Sequence, residues 1–104
     1  MQQPLIKAIS DKAHAIVPPG SEIILFGSRA RGDARSDSDW DVLILLDKDG
    51  RVNGDDIDNY SYPLRELGWD YEADINTILY TKQQWQKESF TPFYKNVEEE
   101  GIRL

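Results

Sequence analysis

Cysteine is absent from the 104 residues, which excludes a disulfide framework and any thiolate metal site. No apolar run approaches the ~20 residues of a membrane span. The opening MQQPLIKAIS also lacks the long apolar core of a signal peptide. A cytoplasmic location with no membrane partner is the expectation. Positive charge is scarce too: Lys plus Arg is 12 against 19 Asp plus Glu, a formal net charge of −7. That balance argues against direct, non-specific contact with nucleic acid, which needs a basic face. It suits carboxylates that recruit a cation, or a surface that meets a basic partner, and acidic surface also aids solubility. Histidine occurs once, at His14, inside a predicted helix, and is read as a surface residue. The length fits one domain, 1–104, with a single core and an open site or one completed by another molecule. Whether the chain forms a homo-oligomer is left open.

What the chain does have is a strong alternation of helical and strand patterns. Leu5, Ile6, Ile9 and Ala13 recur at helical spacing, so residues 3–17 predict an amphipathic helix stopped by Pro18-Pro19-Gly20. Ile23-Ile24-Leu25-Phe26 and Val42-Leu43-Ile44-Leu45-Leu46 are continuous apolar runs, which suit strands covered on both faces. Residues 53–67 predict a helix ending at Gly68, with Pro63 as a kink or break. Residues 72–80 predict a third strand. Thr81 then caps a helix that turns Trp85 inward, and a last helix over 91–99 ends at Gly101. The order α, β, loop or short helix, β, α, β, α, α describes an α/β domain of two or three layers. Asp55-Asp56-x-Asp58 reads as an acidic helix start. Trp69, Trp85 and the tyrosines read first as core or interface residues; one could stack on a base, and the sequence does not choose which.

Residues 27–41, GSRARGDARSDSDWD, hold three arginines, four aspartates and two glycines between the first two strands. Asp39 and Asp41 are two positions apart at a strand start, so both side chains leave the same face. Side by side they repel, and a divalent cation with oxygen ligands relieves that repulsion. A lone Asp-x-Asp also fits a solvated strand start. Asp74 lies between Ala73 and Ile75 in the third predicted strand, where an unpaired charge is unusual. If that strand lies beside the second, Asp74 faces the same side as Asp39 and Asp41; Glu72 is the weaker rival. Gly27-Ser28 ends the first strand, where glycine lets the backbone approach an anion and serine can cap a following helix. Arg29 and Arg31 add positive charge there.

Gly27-Ser28, ten intervening residues, Asp39-x-Asp41 and a strand aspartate about thirty residues on resemble the DNA polymerase β-like nucleotidyltransferase superfamily. The closest likeness is to its minimal nucleotidyltransferase group, and the ending TPFYKNVEEEGIRL supports it. The resemblance implies an α/β (α+β) fold, a small mixed sheet flanked by helices. It implies that Gly27, Ser28, Arg31 and, less directly, Arg29 contact the phosphates of an NTP, and that Asp39, Asp41 and Asp74 are catalytic and bind metal. The implied cofactor is Mg²⁺, two ions, with Mn²⁺ as the alternative. The implied reaction is transfer of a nucleoside monophosphate, AMP from ATP, to a hydroxyl. A tyrosine of a HEPN-type toxin is the acceptor suggested by stand-alone members, which act as antitoxins. Two other readings remain: a non-catalytic antitoxin that masks its partner, and an aminoglycoside-type small-molecule nucleotidyltransferase.

Overall fold

In the computed structural model, which describes residues 3–104, the first apolar stripe forms a helix. α1 (Gln3–Ile16) buries Leu5, Ile9 and Ala13 about one turn apart and leaves Lys7 paired with Asp11 outside. Gly20 then turns the chain at φ 88°, and a Cβ there would collide with the Asp47 carboxylate. The Asp47 N–H donates to Ser21 Oγ at 3.0 Å, which fixes the entry to the sheet.

β1 (Glu22–Phe26) and β2 (Trp40–Leu46) pair antiparallel, with Phe26 opposite Asp41. β3 (Ile75–Thr81) joins the other side of β2 in parallel, with Trp40 opposite Ile75. A short strand without a sequence signal, β4 (Ile102–Arg103), pairs antiparallel with β1. The mixed sheet therefore runs β3-β2-β1-β4. Both central strands are buried on both faces, as their unbroken apolar runs require. Ile23, Leu25, Trp40, Val42, Ile44 and Leu46 meet α1 and Leu64 on one face. Ile24, Leu43 and Leu45 meet Trp85 and Val97 on the other. Helices thus lie on both faces, in three layers. The second set comprises α5 (Lys82–Lys87), capped by Thr81 with Gln84 in a capping box, and α6 (Pro92–Glu100), capped by Thr91.

Several expectations need correcting. The helix expected over 53–67 is a longer path: α3 (Gly54–Asp56), one π-helical turn (Ile57–Ser61) and α4 (Tyr62–Asp70). Pro63 sits at the start of α4, directly after the π-helical turn, so the helical path changes its winding there and is not broken. Gly68 is not the helix end. It is buried inside α4 where the Ala73 carbonyl and Ile75 come too close for a Cβ, so its lack of a side chain permits the return to β3. The third strand starts at Ile75 rather than residue 72, and Glu72 adopts φ 53° in the preceding turn. Asp74 therefore lies just before the strand rather than in it, and Glu72, in the turn, is no rival to it. His14 accords with its surface reading: it is exposed, its ring 3.0 Å from the Leu104 carbonyl. No described helix is long and apolar enough to cross a membrane.

Candidate active site

The face that carries Leu43 and Leu45 is covered by α5 and α6 over part of its length only. Toward the start of β2 the same alternation delivers Asp41 and then Asp39, both outside that cover. Parallel pairing sets Asn76 opposite Asp41, and the Trp40 N–H donates to the Asp74 carbonyl at 2.8 Å, which aligns Asp74 with Asp39. Asn76 Nδ2 donates to Asp39 Oδ2 at 2.9 Å.

Because Phe26 lies opposite Asp41, the chain leaving β1 turns directly over the Asp41 carboxylate. Gly27 makes that turn with φ 75° and ψ −158°, a conformation that disfavours any side chain. A Cβ would also strike Asp41 Oδ2. Glycine is thus demanded twice at one position. Ser28 is not the cap of the next helical turn: Gly27 holds the cap position, no side chain caps it, and Ser28 opens the single turn α2 (Ser28–Arg31). Gly32 closes the turn in the left-handed conformation, φ 86°.

Partial burial pushes the Asp41 carboxyl above its ordinary value. The neighbouring Asp39 charge pushes the same way, while the Asn76 amide and Arg31 oppose both. Arg31 donates from Nε to Asp33 at 3.3 Å and lies 3.5 Å from Glu100, and these partners hold its guanidinium above the usual arginine value. It lines a cleft with Phe26, Gly27, Phe93, Asn96 and Glu100. Arg29 goes elsewhere. Its guanidinium lies 4.4 Å over the Trp40 ring, and Nη2 donates to the Ser38 and Ser36 carbonyls at 2.8 and 3.3 Å. It pins loop 33–38, and with it the approach to Asp39.

The structure therefore gathers Gly27, Asp39, Asp41 and Arg31, with Ser28 at the start of the turn. Asp74 stands one strand over and Arg29 behind the loop. Among the described residues, no three His, Cys, Asp or Glu side chains close around one point. The donor set still fits Mg²⁺, which takes a few carboxylate oxygens and completes its shell with water and phosphate. A repelling carboxylate pair under a glycine turn suits such a shared site better than an all-protein cage. Asn76 is the residue that sequence reasoning passed over. Its signal was present: a polar side chain two positions after Asp74, on the same face.

Residues 6–104 match the family model described as the nucleotidyltransferase domain. The chain belongs to the nucleotidyltransferase family. This nucleotidyltransferase is 38% identical over 83 residues to the "Putative protein adenylyltransferase" of Methanocaldococcus jannaschii, an alignment covering 77% of this chain and 73% of that relative. Among solved structures it matches a chain of a "Crystal structure of the toxin-antitoxin with AMP-PNP". There the TM-score is 0.59 at 19% identity, covering 98% of this chain and 70% of that one. At that identity the likeness shows the fold: a mixed sheet with flanking helices, as in a nucleotidyltransferase.

Proposed function

We propose that this nucleotidyltransferase moves AMP from ATP onto a tyrosine hydroxyl of a HEPN-type toxin and so acts as its antitoxin in the cytoplasm. The observation that carries this reading is the Gly27 turn seated on the Asp41 carboxylate beside Asp39, with Arg31 at the same end. The Methanocaldococcus relative, named for protein adenylyl transfer, supports a protein acceptor. The shared fold with a chain of a toxin–antitoxin complex that contains AMP-PNP supports the nucleotide and the kind of partner.

The reaction is an in-line displacement at the α-phosphorus. The acceptor oxygen forms a bond to phosphorus, the bond to the bridging oxygen breaks, and pyrophosphate leaves. Asp39 and Asp41 would hold Mg²⁺, or Mn²⁺ in its place, with phosphate oxygens and water completing its shell; the cation would supply charge stabilisation at the attacking and leaving oxygens. Gly27 and Ser28 present backbone to the β- and γ-phosphates without a side chain at Gly27 in the way. Arg31 meets the negative charge that grows on pyrophosphate. Asp74, aligned with Asp39 just before β3, accepts the proton of the acceptor hydroxyl. Arg29 acts through the loop it pins and positions Asp39.

The test is incubation of the chain with its partner toxin, Mg²⁺ and α-labelled ATP. Label on the toxin, abolished by Asp39→Ala and by Asp41→Ala, supports transfer. Inhibition of the toxin without label favours masking, and label on an aminoglycoside but not on the toxin favours a small-molecule acceptor.

A further inference from the structure

We propose that Arg65 and Trp69 of α4 form the acceptor subsite of this enzyme and select a phenolic hydroxyl carried on an acidic segment, an inference that rests on the transfer reading above. In-line attack requires the acceptor to approach from the side opposite the leaving group. The residues assigned to the leaving pyrophosphate, Gly27 and Arg31, come directly after β1. In the order β3-β2-β1, the far side of Asp39 and Asp41 is β3. There a separate cleft of about 280 Å³ is lined by Asp39, Arg65, Trp69, Asp74 and Asn76. It shares Asp39 with the proposed reaction centre and contains Asp74, the proposed proton acceptor.

Trp69 differs from the other tryptophans. Trp40 and Trp85 are 3% and 1% exposed, whereas Trp69 is 58% exposed. Its ring is braced edge-on by Tyr62, centroids 6.1 Å apart at 87°. An exposed, braced ring offers a flat face to another aromatic ring. Arg65 precedes it by one helical turn and makes no ion pair with any described residue, whereas Arg31 and Arg103 both do. Against the net charge of −7, this unpaired cation at the cleft offers a short-range partner to an acidic group beside the acceptor and none to a basic one. The cleft thus combines a stacking surface, a cation for the flanking charge and a carboxylate for the hydroxyl proton.

The test uses the intact chain, Mg²⁺, α-labelled ATP and three peptides: acetyl-Glu-Tyr-Glu-amide, acetyl-Lys-Tyr-Lys-amide and acetyl-Glu-Ser-Glu-amide. The acidic tyrosine peptide is expected to take label at least about tenfold faster than either of the others. Trp69→Ala should raise the KM for that peptide about tenfold, Trp69→Phe should restore most of it, and Arg65→Ala should erase the preference for acidic over basic flanks. The Kd for ATP, measured without peptide, should not track these changes. Transfer to the toxin or to peptide that is indifferent to Trp69→Ala and Arg65→Ala overturns this subsite while leaving transfer intact. Wild-type chain that binds ATP and labels the toxin but shows no preference among the peptides also overturns the subsite. A chain that labels no acceptor of any kind overturns the transfer reading itself.

Discussion

One face of the sheet is sealed along the whole of β2, and the other is sealed only in part. On the first, Trp40, Val42, Ile44 and Leu46 of β2 all find cover beneath α1 and α4. On the second, Leu43 and Leu45 lie under Trp85 and Val97, but Asp41, one pleat earlier, meets the Gly27 turn and the polar groups of Asp39, Asn76 and Arg31. The same contrast repeats on β3, where Ile75 is 3% exposed and Ile78, on the other face, 38%. The difference teaches where this small domain spends its core. It stacks aromatics against the distal half of one face and leaves the proximal half to charge. A chain of this size could not enclose the site and keep an adequate core as well; the site is a gap in the cover.

The comparison can be broken most forcefully under the cover. Trp85 touches Tyr80, Phe93 and Tyr94 with ring centroids 4.8–5.7 Å apart and donates to Glu98 at 3.0 Å. Trp85→Ala should cost about 3–5 kcal/mol, whereas Ile78→Ala on the exposed edge strand beside Leu43 should cost less than about 1 kcal/mol; paired denaturant melts check both. Asp41→Ala should reverse that pattern. Transfer should fall by about 10²–10³-fold while circular dichroism stays that of the folded chain, because the half-buried carboxylate lies outside both apolar core clusters. Gly27→Ala touches both halves: the positive φ and the collision with Asp41 should cost about 1–3 kcal/mol, and transfer should drop further than stability does.

The smallest effect is the most diagnostic. Burial and Asp39 raise the Asp41 pKa in the folded state, so the fold favours the protonated form. The stability linked to this group is complete at acid pH and is lost as pH rises from the ordinary carboxylate range through its raised value. Asp41→Asn removes the penalty. At neutral pH it should stabilise the chain by about 0.5 kcal/mol after allowing for solvent screening, a gain in Tm of about 2–4 °C, and below the carboxylate range it should make no difference. Thermal melts across a pH series read this directly. A gain in stability with a loss of transfer would mark Asp41 as a charge held against burial and repulsion rather than a structural partner.

Much of this was legible in the residues. Long apolar runs marked β1 and β2, and the helical stripe of α1 and the Thr81 cap of α5 were plain, because each is a local pattern. β4 was not legible, since Ile102 and Arg103 form a strand only by pairing with β1. Gly68 looked like a helix end because the reason for it, the Ala73 carbonyl and Ile75, arrives from outside the helix. Arg29 and Arg31 look equivalent in GSRARG, yet Trp40 draws one away from the carboxylates and Glu100 keeps the other beside the Gly27 turn.

By itself the sequence determined that two doubly buried strands flank a glycine turn, and that aspartates two apart leave one face of the second. Those features depend only on the alternation of side chains along a strand and on the backbone freedom of glycine, which no distant residue can alter. The tertiary structure alone decided that β3 lies parallel beside β2, that Asn76 and Asp74 align with Asp41 and Asp39, and that the helices stop short of them. Register and cover are settled between segments far apart in the chain, by which packing buries the most apolar surface, and local pattern carries no record of that competition.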